Sequence, residues 1–204
     1  MRGWIYDGLL VWLTRDWYAA VLDGLAPGTR VLDVGIGTGS ALLHHAPLLV
    51  ARDLHVTGVD IDADYVRRAL RRIADAGLEA RVQVHHEPLE AHRGGPYDVV
   101  YFAGSFMLLD DPVASLRHAV GLLAPGGRLA FTQTFQVRRS AVMERLKPVL
   151  RALTTVDFGQ VTYEADFARV LAEAGVEVVQ ERVLSARAGR SARVVWARPQ
   201  AAVG

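Results

Sequence analysis

The feature that most constrains this chain is a glycine-rich turn placed directly behind a short apolar segment. In VLDVGIGTGS (31–40), Gly35, Gly37 and Gly39 stand at alternate positions after a run that contains Asp33. Glycine tolerates positive φ angles and lets a ligand approach the main chain where a Cβ atom would collide with it. The pattern therefore predicts a strand followed by a tight turn and a helix, with a ligand lying against the turn.

Short apolar runs alternate with segments of helical periodicity along most of the chain. The predicted strands are RVLDV (30–34), HVTGVD (55–60), ARVQVHH (80–86), YDVVYFAGS (97–105), RLAFTQTF (128–135), VEVVQERVL (176–184) and ARVVWARP (192–199). The predicted helices are SALLHHAPLLVA (40–51), DADYVRRALRRIADAG (62–77), PVASLRHAVGLL (112–123) and TYEADFARVLAEAG (162–175), the last with Thr162 as its N-cap. This alternation predicts an α/β fold, a doubly wound, Rossmann-like, mostly parallel sheet. The short turn 185–191 makes the last two strands antiparallel, with one reversed strand near the sheet edge.

Length and composition indicate one domain, residues 1–204, without repeats or linkers. A formal net charge of +1 requires no polyelectrolyte partner, and no basic tract interleaved with aromatic residues predicts nucleic-acid binding.

The absence of cysteine excludes disulfides, thiolate nucleophiles and cysteine-type zinc sites, and no cluster predicts another metal site. No run reaches the roughly 18 apolar residues of a membrane span. No secretory signal is recognisable, so the cytoplasm is the predicted location.

The acidic residues near the turn indicate which ligand it serves. A dinucleotide fingerprint would place its third glycine at position 40, where Ser40 stands. Asp33 would repel a phosphate and pair with an ammonium group. Asp60 closes the second strand, where a carboxylate can accept hydrogen bonds from both ribose hydroxyls. Ile61 could pack on an adenine, and Glu87 could accept from its exocyclic amine. Together these side chains predict a nucleoside ligand that carries an amino-acid tail and no phosphate.

Four segments together resemble the successive motifs of the class I S-adenosylmethionine-dependent methyltransferases. These segments are VLDVGIGTGS, VTGVDID, YDVVYFAGS and LLAPGGRLAFTQ, and the resemblance extends over residues 25–198. It implies a seven-stranded sheet with the last strand reversed, and S-adenosylmethionine as cofactor. The implied cofactor contacts are Asp33, Gly35, Gly37, Gly39, Asp60 and Ile61. The chain departs from the family after the third strand, where His86-Glu87-Pro88 replaces the usual Gly-Asp pair, so the adenine contact of Glu87 depends on the chemistry of its carboxylate alone.

Transfer of a methyl group from a sulfonium is an in-line displacement, so the enzyme chiefly aligns the reactants and excludes water. A general base is needed only where the acceptor loses a proton, and the candidates for a catalytic role are Tyr6, Ser105 and His86. No Asn-Pro-Pro-Tyr-type motif follows the fourth strand, which disfavours amino-purine acceptors, and the lack of cysteine excludes the covalent route to pyrimidine carbon-5. A small-molecule methyl acceptor is predicted. The alternatives are a cofactor-binding protein without methyl transfer (a sensor, scaffold or non-methylating enzyme) and a nicotinamide-dependent oxidoreductase.

Two segments are predicted to shape the acceptor site. Residues 1–24 are rich in aromatic side chains and carry an apolar stripe at helical spacing, which predicts a helical lid or, alternatively, a helix that only packs on the domain. Residues 135–160 form an insertion predicted to be the other wall of the pocket. Together they predict a partly apolar acceptor. The sequence leaves the oligomeric state open, with a homodimer among the alternatives.

Overall fold

The computed structural model describes residues 15–136, 162–187 and 190–200. Residues 15–22 form helix α1. The elements that follow are β1 (Arg30–Val34), α2 (Ser40–Leu43), α3 (Ala46–Ala51), β2 (His55–Asp60), α4 (Ala63–Asp75), β3 (Val82–His86), β4 (Tyr97–Ala103), α5 (Pro112–Gly121), β5 (Leu123–Gln136), β6 (Thr162–Tyr163), α6 (Glu164–Glu173), β7 (Val176–Arg187) and β8 (Arg190–Pro199). All seven predicted strands are present. Single 3-10 turns, Leu89–Ala91 and Phe106–Leu108, follow β3 and β4.

The strands form one sheet in the order β3-β2-β1-β4-β5-β8-β7. Strands β1 to β5 pair in parallel, whereas β8 is antiparallel to both β5 and β7. The predicted Rossmann-like fold with one reversed strand next to the edge is therefore confirmed. The sheet has eight strands rather than seven, because the two-residue β6 pairs with the end of β5. Strand order reverses beside β1, so the crevice at its carboxyl end is the switch point where such sheets bind ligands.

Three local predictions are wrong, each because tertiary contacts or backbone chemistry override the local pattern. The helix predicted over 40–51 is divided into α2 and α3, since Pro47 near the start of α3 has no N–H group to continue the earlier helix. Thr162 is not an N-cap: it pairs with Phe135 in β6, and α6 begins after Tyr163. The predicted turn 185–191 is mostly strand, because β7 and β8 pair as far as Arg187 and Arg190.

The core occupies both faces of the sheet. One face carries a cluster of aromatic rings in mutual contact, which are Phe102, Phe106, Phe131, Phe135 and Phe167. On the other face, Trp17, Tyr18, Val21 and Leu22 of α1 are buried. Residues 15–22 thus belong to the folded core. Residues 1–14, with Tyr6, and 137–161 lie outside the described residues, so the lid and the pocket-forming insertion stay predictions.

Helix α4 begins with a side-chain cap, which gives a prediction for stability. The Asp62 carboxylate accepts hydrogen bonds from the main-chain N–H groups of Asp64, at 2.8 Å, and Tyr65, at 3.0 Å. Asp62→Ala leaves both groups without this partner, and we expect it to lower the free energy of unfolding by about 1 kcal/mol in urea denaturation. Asp64→Ala, which removes a first-turn acid but not the cap, should cost less than half as much; equal losses would contradict this role for Asp62.

Candidate cofactor-binding site

The glycine turn between β1 and α2 has the backbone geometry that the sequence predicts. Gly35, Gly37 and Gly39 have φ angles of 76°, 60° and 69°, in the left-handed region that favours glycine. The N–H groups of Gly35 and Ile36 both donate to the Val59 carbonyl, at 2.8 and 3.3 Å, which ties the turn to the end of β2. The turn therefore has a fixed shape, with its main chain accessible at the carboxyl end of the sheet.

The glycines differ in what surrounds them. A Cβ atom at Gly35 would lie 2.6 Å from Cβ of Ser105, so this glycine is needed for the approach of β1 to the loop after β4. A Cβ atom at Gly37 would meet nothing within 4 Å. The space beside Gly37 is thus available to a ligand, whereas the space beside Gly35 is filled by the protein.

The Asp60 carboxylate is held at the end of β2 by main-chain donors. Its Oδ2 accepts from the Gly37 N–H at 2.8 Å, and its Oδ1 accepts from the Asp62 N–H at 2.9 Å. Each carboxylate oxygen can accept more than one hydrogen bond, so both keep capacity for a ligand hydroxyl. Ile61 follows with 74% of its surface exposed, although its side chain is apolar. The structure thus places Asp60, predicted to contact ribose, against the glycine turn, with Ile61, predicted to contact adenine, exposed beside it.

Asp33 is fully buried and only partly satisfied. Its Oδ2 accepts from the Tyr18 hydroxyl at 2.7 Å, while Oδ1 is buried without a hydrogen-bond partner. Burial raises the pKa of Asp33 from 3.8 to about 7; the hydrogen bond from Tyr18 opposes this increase in pKa, and the nearby Asp60 charge adds to it. A buried carboxylate oxygen that lacks a donor is costly, so it fits a ligand that brings an N–H donor and positive charge.

Tyr18 is a site residue that the sequence did not identify. It lies on α1, stacks edge-on against Tyr101 with ring centroids 5.2 Å apart, and donates to Asp33. Burial raises its pKa well above the usual value, and the Asp33 charge raises it further, so the phenol remains a donor. The only signal in the sequence was the aromatic content of the N-terminal segment, which does not indicate a partner.

The remaining candidates lie at neighbouring strand ends. Ser105 donates its hydroxyl to the Val34 carbonyl, which joins the ends of β4 and β1. His86 is exposed and its Nε2 donates to the Ile61 carbonyl at 3.0 Å. Glu87 accepts from His92 Nδ1 at 2.7 Å, and its N–H donates to the Asp60 carbonyl at 3.1 Å. Ser105 therefore contacts the end of β1, whereas His86 and the main chain of Glu87 contact the end of β2. Their catalytic or adenine-binding roles stay predictions.

Comparison with known proteins connects this crevice to a family. Residues 32–129 match the sequence profile of a methyltransferase domain. An uncharacterised methyltransferase of Mycobacterium tuberculosis is 38% identical over 122 residues, which are 58% of this chain and 58% of that protein. The 27-O-demethylrifamycin SV methyltransferase of Amycolatopsis mediterranei is 33% identical over 128 residues, or 60% of this chain and 46% of that protein. The matched part thus spans less than two thirds of either relative.

A solved structure agrees over nearly the whole chain. Magnesium protoporphyrin IX methyltransferase (ChlM) from Synechocystis PCC 6803 with bound SAH, S-adenosylhomocysteine, has a TM-score of 0.63 at 24% identity. The alignment covers 93% of this chain and 82% of that one, and at this identity it shows a shared fold. Among the described residues, none of the helices is long and apolar enough to span a bilayer.

Proposed function

Because the chain belongs to the class I S-adenosylmethionine-dependent methyltransferases, we propose that it binds S-adenosylmethionine at the glycine turn and transfers the methyl group to a small molecule. The observation that carries this proposal is the buried Asp33 Oδ1, which lacks a hydrogen-bond donor beside a turn with open space at Gly37. The cofactor brings an ammonium group, a ribose and no phosphate. These groups fit an acidic crevice better than a dinucleotide does.

Each residue of the crevice has a proposed part in binding. Asp33 receives the ammonium group, and Gly37 lets the ligand approach the main chain, with Gly35 and Gly39 shaping the turn around it. Asp60 accepts from the ribose hydroxyls, Ile61 packs on the adenine and Glu87 accepts from the exocyclic amine. The orientation of Asp60 by two N–H groups supports this assignment, because a carboxylate already held in place loses little side-chain entropy on binding.

When bound, S-adenosylmethionine supplies an electrophilic methyl group whose sulfur leaves as a neutral thioether. The protein needs to hold the acceptor in line with that carbon and to exclude water. Ser105 lies at the junction of β1 and β4, beside Gly35, where we propose that it contacts the acceptor. Tyr6 and His86 remain candidates for a proton-accepting group. The predicted lid is proposed to consist of the residues before α1, and the predicted wall of those between β5 and β6. Leu108, 58% exposed just beyond Ser105, supports a partly apolar acceptor.

Calorimetry with S-adenosylmethionine, SAH and NAD tests the proposed binding. We expect the first two to bind in the micromolar range, about −8 kcal/mol, and NAD not to bind. Release of SAH from labelled cofactor in the presence of a set of apolar alcohols, amines and thiols then tests transfer. Binding of NAD in place of SAH would contradict the cofactor. Tight binding without turnover of any acceptor would favour a cofactor-binding protein that does not transfer methyl groups.

Two glycine substitutions distinguish an effect on stability from an effect on ligand binding. Gly37→Ala places a Cβ atom in open space, so we expect only the cost of a left-handed alanine, about 1–2 kcal/mol of unfolding free energy. The same Cβ lies in the space proposed for the ligand, so SAH affinity should fall at least about tenfold, the equivalent of roughly 1.4 kcal/mol. Gly35→Ala collides with Ser105 and should cost more stability than Gly37→Ala in urea denaturation. Unchanged SAH affinity in Gly37→Ala would exclude the ligand from this space.

A further inference from the structure

A buried histidine that the proposed mechanism does not use contacts Glu87, the residue proposed to accept from adenine. His92 is 3% exposed and has both ring nitrogens hydrogen-bonded: Nδ1 donates to Glu87 Oε1 and Nε2 contacts the Tyr97 hydroxyl, both at 2.7 Å. Hydrogen bonds therefore connect the end of β3, where Glu87 stands, to the start of β4. None of the described residues donates a hydrogen bond to Glu87 Oε2.

The short connection from β3 to β4 leaves this face of the sheet open. It contains only the 3-10 turn Leu89–Ala91, and a cavity of about 750 Å³ opens here. Glu87 and His92 line the cavity together with Thr57 and Gln83. A glutamate beside such a cavity would sample several rotamers if it lacked a fixed partner, at a considerable cost in side-chain entropy when it is ordered. The hydrogen bond from His92 restricts that freedom.

The main chain of His92 is also held in place. Its carbonyl accepts from His118 Nε2 at 3.0 Å, and its main-chain N–H donates to the Leu89 carbonyl at 3.0 Å. Gly94 covers the ring so closely that a Cβ atom there would lie 2.6 Å from His92 Nε2. Together with the hydrogen bonds of both ring nitrogens, these contacts fix the orientation of the imidazole, with Nδ1 directed at Glu87.

We propose that His92 is a positioning residue of the cofactor site. By holding Glu87 Oε1, it leaves Oε2 free to accept from the exocyclic amine of adenine, and it thereby makes the protein select adenine over bases without that amine. This inference rests on the proposed binding of S-adenosylmethionine. It adds the residue that determines base selectivity, at a position the family motifs do not include.

The test compares SAH with S-inosylhomocysteine, in which a carbonyl replaces the exocyclic amine. In the wild-type protein a carboxylate facing that carbonyl loses its donor, so we expect roughly a 10- to 100-fold preference for SAH by calorimetry. His92→Gln places an amide near the position of Nε2, which keeps the contact to Tyr97 but not the one to Glu87. We expect this variant to lower the preference to about threefold or less, mainly through weaker SAH binding.

His92→Asn is the matched control. Its amide lies near the position of Nδ1, so it keeps the hydrogen bond to Glu87, loses the one to Tyr97, and should retain most of the preference. If His92 has only a structural role, both variants should weaken the binding of the two ligands equally and leave the preference unchanged, because both replace a buried ring by a smaller amide. Thermal denaturation establishes that each variant folds. If His92→Gln does not fold, Gly94→Ala displaces the ring without removing it and should weaken the preference in the same direction.

A double-mutant comparison completes the test. In a Glu87→Ala background, His92→Gln should cause no further change in the preference, since it acts only through that carboxylate. Equal preference in His92→Gln and the wild type, or a further change in the Glu87→Ala background, would overturn the inference. A wild-type protein that binds both ligands equally also overturns it, while the proposed function stands. Absence of binding to either ligand refutes the proposed function itself.

Discussion

Asp60→Ala is expected to lower the affinity for SAH by about 100-fold, because two hydrogen bonds from ribose hydroxyls to a charged acceptor are lost together. The substitution also removes the acceptor of the Gly37 N–H, which the Asp60 carboxylate holds at 2.8 Å, so the glycine turn loses a contact that fixes its shape. The ribose hydrogen bonds are lost from the complex alone, whereas the Gly37 contact is also lost from the free protein, whose turn must then be ordered when the ligand binds. Calorimetry at neutral pH measures the change directly.

Asp62→Ala is the control for this experiment. Asp62 lies two residues away, and its own main-chain N–H donates to Asp60 Oδ1, a bond that alanine retains. The control removes a carboxylate from the same segment and costs the stability of a helix cap, yet should leave SAH affinity within about threefold, less than 1 kcal/mol. If Asp60→Ala binds SAH as tightly as the wild type, or if both variants lose affinity equally, Asp60 does not hold the ribose.

The parts of the site that the sequence predicts are those determined by local backbone requirements. The glycine turn is recognisable because its φ angles admit glycine, and Asp60 because parallel strands bring their carboxyl ends to one edge. Alternation of strands and helices likewise predicts the sheet and its reversed strand. These signals depend on residues close in sequence, and they do not require knowledge of how the elements pack.

The contacts that the sequence could not predict join elements whose relative orientation is set by packing. Tyr18 reaches Asp33 because α1 packs against one face of the sheet, and nothing in the segment of Tyr18 specifies that arrangement. His92 carries no signal in the sequence, because a lone histidine in a polar connection has no periodicity. Thr162 fits the sequence pattern of a helix cap, but its main chain pairs with Phe135 in the sheet. Side-chain partners of this kind require the tertiary structure.

Asp33 links the packing of α1 to the electrostatics of the site. The carboxyl group is buried and accepts a hydrogen bond from Tyr18; burial raises its pKa to about 7, with a smaller contribution from Asp60. Near neutral pH, Asp33 therefore exchanges between a protonated and an ionised form in the free protein. An ammonium group beside Oδ1 favours the ionised form, so binding of a ligand with an amino-acid tail lowers this pKa and releases the proton.

The affinity for SAH should accordingly depend on pH through Asp33. Below about pH 7 the free protein holds a proton that the complex does not, so affinity falls as pH falls, by up to about tenfold per pH unit. Above that pH, Asp33 is already ionised and affinity should be level. From pH 7.5 to 5.5 we expect a loss of about 30-fold in calorimetric titrations. The same linkage lowers the stability of the free protein as pH rises from 4 to 7, because only the folded state keeps the proton.

Two controls assign this slope to the contact between Asp33 and the ammonium group. Asp33→Asn cannot release a proton, so it should bind SAH more weakly and without the slope. 5′-Methylthioadenosine shares the nucleoside but lacks the amino-acid tail, so its affinity should not show the slope even in the wild-type protein. A slope shared by both ligands would assign the titrating group to the nucleoside end of the site instead of Asp33. A wild-type SAH affinity that stays constant from pH 5.5 to 7.5 would mean that the buried carboxylate does not receive the ammonium group.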